Sequence, residues 1–313
     1  MSEISQALAE LVKDVQAYLE WEALCGARAV PVEPVAPAAP EPLSPPPRGP
    51  GPVSAPLRPA AGPPAFGAQP PRPSGAGAPA SAPSRPAPAA PPRPAAAPGQ
   101  LGIWAQHLPD PAVAADTVAL AGASTLDDVR RVLGDCRRCG LCEGRRSIVF
   151  GEGDPKARLF IVGEGPGETE DETGRPFVGA AGQMLDRMVS NVLGLDRSQV
   201  YIGNVVKCRP PNNRNPDDAE SRRCLPFLQA QLRAVAPEFV LVLGTVAVKA
   251  LFGPERGITA VRGRWQSLDI GGRPVAVMPT FHPAYLLRQP DEKKAAFDDL
   301  KLLRAAMDGR QAR

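Results

Sequence analysis

Glu164, Asn204 and His282 lie far apart in the chain, yet each stands at or just past the end of a short apolar run. A carboxylate, an amide and an imidazole brought together could position a water, read the hydrogen-bonding edge of a heterocycle and stabilise a developing anion. Glu164 sits in Gly163-Glu164-Gly165-Pro166-Gly167, a turn whose glycines let backbone approach a ligand closely. The turn is neither GxGxxG nor a phosphate loop ending in GK[ST], and the acids Glu164, Glu168, Glu170, Asp171 and Glu172 around it would repel phosphate. A dinucleotide site is therefore not expected. Glu168, Asp171 and Glu172 read as a solvated acidic loop.

The cysteines form a second constellation. Cys136-x2-Cys139 is a two-ligand bite, and Cys208-x15-Cys224 would bring a loop and the following helix together. The second C-x2-C of a zinc ribbon is absent, and four thiolates from two distant places suit either Zn or a [4Fe–4S] cluster, so spacing leaves both open. Cys142 is a fifth thiol three residues beyond Cys139, and Cys25 reads as a bystander or a dimer contact. The opening residues MSEISQ show no secretory pattern, so six cysteines point to ligation before disulfides, and the expected setting is cytoplasmic. No apolar run approaches the roughly 20 residues that span a bilayer, so no membrane association is expected.

Four apolar runs must position these groups: Leu159 to Val162, Val200 to Val206, Phe239 to Leu243 and Val275 to Met278. Helical patterns lie between them at 182–195, 218–236 and 246–252, and a capped helix start at Ser124-Thr125 precedes Cys136. Strands alternating with helices imply an α/β domain around a mainly parallel sheet, whose strand ends converge on one edge. Glu164, Asn204 and His282 would share a pocket there, with Lys207 and Arg209 just beyond the second run.

The chain carries 40 prolines and 30 glycines, and more than half the prolines fall between Pro31 and Pro98. Such a stretch cannot bury enough apolar surface to offset chain entropy and reads as a disordered linker. Three parts result: an amphipathic helix over 1–28, with Ile4, Leu8, Leu11, Val15, Leu19 and Leu24 on one stripe, a linker over 29–122 that includes His107, and a globular domain over 123–313. The isolated helix is expected to meet a protein partner, to self-associate, or to be dispensable. A net charge of +3 neither demands nor excludes nucleic acid.

VGEGPGETEDETGRPFVGAAG, YIGNVVKCRPPNNRNP and FHPAYLLR, with CRRC upstream, resemble the family 4 (thermostable-type, iron–sulfur) uracil-DNA glycosylases over about Cys136 to Arg288. The resemblance implies a three-layer α/β/α sandwich around a four-stranded mainly parallel sheet. It also implies a [4Fe–4S] cluster on Cys136, Cys139, Cys208 and Cys224, structural because N-glycosidic hydrolysis moves no electrons. The implied substrate is uracil flipped out of DNA. The implied roles put Phe177 beneath the base, Asn204 on its O4 and N3–H, His282 at O2 and the Glu164-Gly165 backbone beside it. Glu164 would position the attacking water or stabilise the sugar cation, though the Asp that family 1 relatives carry at the neighbouring position is Gly165 here. Glu170 would share in catalysis.

Leu286, in the segment 283–288, would wedge into the vacated stack, and Arg288, Lys207, Arg209, Arg214, Arg262 and Arg264 would meet phosphates. Rival readings are a glycosylase of wider deaminated-base range, against which Asn204 argues, and an iron–sulfur redox or electron-transfer protein. A further rival is a DNA-tethering adaptor acting through the N-terminal helix. A covalent abasic-site-trapping relative is disfavoured, because KCRPPNNRNPDD contains no histidine.

Overall fold

A computed structural model of the chain describes residues 111–311 together with Val12, Val15, Gln16 and Leu19. The remaining residues of the expected N-terminal helix, the linker as far as residue 110, Cys25 and His107 lie outside the described residues. Val12, Val15 and Leu19 are helical and exposed.

Six strands form one sheet: β1 (Glu152–Gly153), β2 (Leu159–Gly163), β3 (Tyr201–Asn204), β4 (Phe239–Leu243), β5 (Gln266–Ile270) and β6 (Arg273–Thr280), in the order β1-β3-β2-β4-β6-β5. β3, β2, β4 and β6 run parallel, and every residue of β2, β3 and β4 is buried, as strands covered on both faces must be. These four are the strands expected from the apolar runs. The expected count of four is corrected to six by an antiparallel strand on each edge, β1 against β3 and β5 against β6. β1 is only two residues long. β5 is joined to β6 through Gly271-Gly272, both in the left-handed region (φ 64° and 82°), where a two-residue hairpin needs glycine.

Ten α-helices accompany the sheet among the described residues: α1 (Pro111–Ala119), α2 (Leu126–Leu133), α3 (Leu141–Gly144), α4 (Glu168–Thr173), α5 (Ala180–Arg187), α6 (Asp218–Val235), α7 (Gly244–Phe252), α8 (Ile258–Val261), α9 (Pro283–Arg288) and α10 (Lys293–Gln311). α5 runs on into a π-helical turn, Met188–Leu193, against which α10 packs. α2 starts as its sequence demands: the Thr125 hydroxyl accepts the Asp128 N–H, and the Asp128 carboxylate accepts the Thr125 N–H.

The linker boundary is corrected. Residues 111–122 were expected to be linker, but α1 packs on α6, and Leu120 is fully buried with Val129, Leu133, Phe150, Phe227 and Ala230. Asp116 of α1 is buried as well and accepts from Arg138 Nε at 2.8 Å. The short, irregular apolar pattern of α1 follows the proline-rich stretch, which hid it.

Candidate active site

The parallel strands end in register. Gly163 pairs with Asn204 and Leu243 with Thr280, so the residues that follow β2, β3, β4 and β6 share one edge. Two glycines let the side chains at that edge meet. Gly244, at the end of β4, has φ +83°, and a Cβ on it would lie 2.9 Å from His282 Cβ. Its bareness lets His282 lie over the end of β4, toward β2. A Cβ on Gly163 would lie 2.5 Å from Phe177 Cζ and closer still to Asn204 Oδ1. Asn204 and Phe177 therefore converge on the end of β2, and the Phe177 ring stands 5.6 Å from the His282 ring at 33°.

Phe177 is held in an unusual backbone state, φ +50°, that a non-glycine residue adopts at a cost of about 1–3 kcal/mol. Two side chains clamp its loop. Glu170 accepts from Val178 N–H and Gly179 N–H on Oε1, both at 2.8 Å, and from Gly167 N–H on Oε2 at 3.1 Å. Arg197 donates to Phe177 O at 3.0 Å, to Pro176 O, and to Asp186 at 2.7 Å. Gly182 of α5 then lets the Phe177 carbonyl seat against the helix.

Asn204 Oδ1 and His282 Nε2 are the two buried side-chain polar atoms among the described residues that lack a hydrogen-bond partner. Their states follow from their surroundings. His282 caps α9, its Nδ1 accepting the Ala284 N–H at 3.1 Å. An accepting Nδ1 places the proton of a neutral ring on Nε2. Burial pushes the His282 pKa down to about 4, with Arg288 acting in the same sense and Glu170 opposing. The ring is thus a neutral donor at pH 7 with nothing of the protein to donate to. Asn204 offers an acceptor at the end of β2, where the Phe177 ring also lies. Glu164 is half-buried on the same edge, and burial pushes its carboxyl upward against the opposing charge of Arg288. Gly165 packs against Val206, where a Cβ would lie 2.7 Å from Val206 Cγ2.

An unpaired acceptor and an unpaired neutral donor, beside an aromatic ring, form a recognition surface for a flat heterocycle. The chain's relatives agree. Residues 150–301 match the family model described as the uracil DNA glycosylase superfamily. The chain is 42% identical over 184 residues to the type-4 uracil-DNA glycosylase of Sulfurisphaera tokodaii, covering 58% of this chain and 84% of that protein. It is 48% identical over 155 residues to the type-4 enzyme of Thermotoga maritima, covering 49% of this chain and 78% of that one. A type-5 uracil-DNA glycosylase of Pyrobaculum aerophilum is 31% identical over 190 residues, 51% of this chain and 83% of its own length.

The chain belongs to the type-4 uracil-DNA glycosylase family.

Within this family member five cysteines of the described residues lie within electrostatic reach of one another. Cys208 and Cys224 are buried, Cys136, Cys139 and Cys142 partly so, and all five are free thiols. Cys136 and Cys142 lie within electrostatic reach of Cys139, Cys136 and Cys139 of Cys208, and Cys136 and Cys208 of Cys224. Burial pushes the Cys224 thiol up to about 12 and raises Cys139 and Cys208. Arg145 donates to Cys208 Sγ at 3.3 Å and to the Cys136 carbonyl at 2.6 Å, and Lys207 and Arg138 are further cations within electrostatic reach of the thiols. No three His, Cys, Asp or Glu side chains among the described residues stand in a ready-made metal-holding arrangement. The donor set of four soft thiols, two of them buried, nonetheless fits a thiolate-ligated cluster.

Several sequence expectations are corrected. Leu286 is fully buried and cannot serve as a wedge, whereas Leu287, one position further along α9, is 41% exposed. One residue of a helix turns the side chain by about 100°, which apolar character alone does not reveal. Lys207 is 1% exposed, with Nζ on Asn204 O at 2.7 Å and Gln231 Oε1 at 2.6 Å, so it contacts no phosphate. Arg209 is engaged with Asn213 and Glu168, Arg214 with Glu220, and Arg262 with Asp299. Arg264 and Arg288 are exposed. Asp171, expected to be solvated, is buried and accepts from the Arg146 and Ser147 N–H groups. Glu170, expected to share in catalysis, has both oxygens committed to backbone N–H groups. Arg197 was missed; no local motif marks it.

Proposed function

We propose that this chain excises uracil from DNA by hydrolysing the N-glycosidic bond of a flipped nucleotide. The observation that carries this reading is the pair of buried, unpartnered atoms, Asn204 Oδ1 and His282 Nε2, beside the Phe177 ring. Uracil presents N3–H as a donor and O2 and O4 as acceptors. Asn204 accepts from N3–H and donates its amide N–H to O4, and His282 Nε2–H donates to O2. Cytosine presents an acceptor at N3 and a donor at C4, which would set like against like at Asn204 and leave buried groups unpaired. Phe177 stacks on the base, and its clamped loop keeps that surface in place.

Bond cleavage leaves negative charge on the base. A preorganised donor at the oxygen that receives it is worth about 3 kcal/mol. His282 is suited to the task because its neutral state and its tautomer are set before the base arrives. Glu164, half-buried at the end of β2, positions the attacking water or stabilises the sugar cation, and the Gly165 backbone lies against the base. Glu170 is a positioning residue, since it holds the Phe177 loop and touches no reacting atom.

Leu287 fills the gap left by the flipped base, with Arg288 on a flanking phosphate. Cys136, Cys139, Cys208 and Cys224 hold a [4Fe–4S] cluster, which when bound ties α2 and α3 to the loop after β3 and to α6. Among the described residues no helix is long and apolar enough to cross a membrane. The expected setting is the cytoplasm, on DNA.

The test uses oligonucleotides with one uracil, single- and double-stranded, and protein purified anaerobically. Alkali-labile sites at the uracil and broad visible absorbance are expected. Intact strands, or full activity in both Asn204→Ala and His282→Ala, would overturn the reading. Uracil release that tracked the redox state of the cluster would favour the electron-transfer alternative.

A further inference from the structure

Lys207 is a charged side chain with 1% exposure, and Gln231, its partner on α6, is fully buried. Lys207 Nζ donates to the backbone carbonyl of Asn204 at 2.7 Å and to Gln231 Oε1 at 2.6 Å. Gln231 Nε2 donates in turn to the Phe150 carbonyl at 2.8 Å. The chain of bonds runs unbroken from the segment before β1, through α6, to the residue at the end of β3. The Lys207 carbonyl accepts the Val149 N–H at 2.8 Å, and its ammonium group lies within electrostatic reach of Cys208 and Cys224.

The sheet does not need this arrangement. Asn204 is already paired with Gly163 in the ladder, and Val205 and Val206 donate to Gly163 O and Glu164 O. Burying an ammonium group is costly unless it is fully satisfied, and an apolar side chain of similar volume would fill the space more cheaply. Buried polar groups of this kind are retained in some proteins for specificity of arrangement rather than stability. Here the group they hold is Asn204, whose side chain reads the base.

We propose that Lys207 and Gln231 are positioning residues for uracil recognition, a buried strut that fixes the backbone of Asn204 and so the plane of its amide. The proposal rests on the assignment of Asn204 as the uracil contact.

A double-mutant cycle separates positioning from mere support of the fold. Lys207→Met is measured in the native chain, in Asn204→Ala and in His282→Ala, by single-turnover uracil release and by equilibrium binding of duplex containing an uncleavable 2′-fluoro-deoxyuridine. Thermal unfolding and visible absorbance control for fold and cluster. The expected loss is about tenfold in the native chain and in His282→Ala, and no more than about twofold in Asn204→Ala, because the strut acts only through that amide. An equal loss in all three backgrounds, or no loss in the native chain, overturns the proposal. Should Lys207→Met fail to fold, Gln231→Leu must show the same dependence on Asn204, and an additive loss there overturns it equally. If Asn204→Ala alone releases uracil at the native rate, the reading of Asn204 itself falls, and with it the strut.

Discussion

Replacing His282 tests the site at its most constrained point. Nε2 is buried without a partner, while Nδ1 is occupied by the Ala284 N–H. On the proposed reading His282→Ala removes a donor to the departing base and a helix cap in one step. Loss of one preorganised donor costs about 10²–10³ in kcat. Loss of the cap costs stability, typically about 1 kcal/mol, so the two effects are read separately.

The pH dependence is sharper. The folded pKa is about 4 against an ordinary 6.5, so between those values the unfolded chain binds a proton that the folded chain refuses. Stability should fall as pH drops from 6.5 to 4 and change no further on this account below 4. The amplitude corresponds to about 3 kcal/mol for a shift of that size.

Activity should show no step near 6.5. On the proposed reading its acid limb belongs instead to Glu164, whose carboxyl is raised by burial and would act in its ionised form. The assays are single-turnover uracil release across pH 4–8 and chemical denaturation at the same pH values. A rate step at 6.5 that disappears in His282→Ala would refute the reasoning, as would activity in that variant within about threefold of the native chain.

Other perturbations have separable outcomes. Gly163→Ala places a methyl against Asn204 Oδ1 and the Phe177 ring, so uracil release should fall by about two orders of magnitude while thermal unfolding shifts by only a few degrees. Leu286→Ala should cost about 2–5 kcal/mol of stability, measured by denaturant titration, because the side chain is fully buried. Leu287→Ala should leave stability within about 0.5 kcal/mol and weaken excision from duplex more than from single strands, read by comparing the two substrates. Cys224→Ser should bleach the visible absorbance and lower the unfolding temperature, since a thiol buried beside Cys208 and Cys136 is lost to the group.

The parallel sheet was legible because its strands are buried on both faces, and continuous apolar runs such as Phe239 to Leu243 can do little else. The edge strands were not, since β1 has two residues and β5 alternates with exposed positions. Gly271-Gly272 was the available signal for the β5–β6 hairpin. Asn204 and His282 were legible from their places at strand ends, and the structure brings both beside Phe177. Direction of side chains was not legible: Leu286 and Leu287 are chemically identical, and only the packing of α9 decides which one faces outward. Lys207 shows the same limit, as a lysine followed by cysteine, arginine and two prolines reads as a surface residue until α6 covers it. Glu170 was singled out as functional, but the three N–H groups it serves come together only once the loop through Phe177 has folded.

The arrangement implies how discrimination is achieved. An unpaired buried polar atom costs about 1–3 kcal/mol, and no protein group among the described residues pairs with Asn204 Oδ1 or His282 Nε2. The left-handed backbone of Phe177 adds a further strain. These costs persist because Glu170, Arg197 and the ladder between Gly163 and Asn204 leave the groups no alternative arrangement. In the proposed pose uracil pairs with both atoms together. Cytosine relieves at most the one at His282 and sets its N3 lone pair against Oδ1. On the proposed reading the preference for uracil rests on groups that are held in place before the base arrives, and loosening any of the clamps should erode selectivity before it abolishes binding.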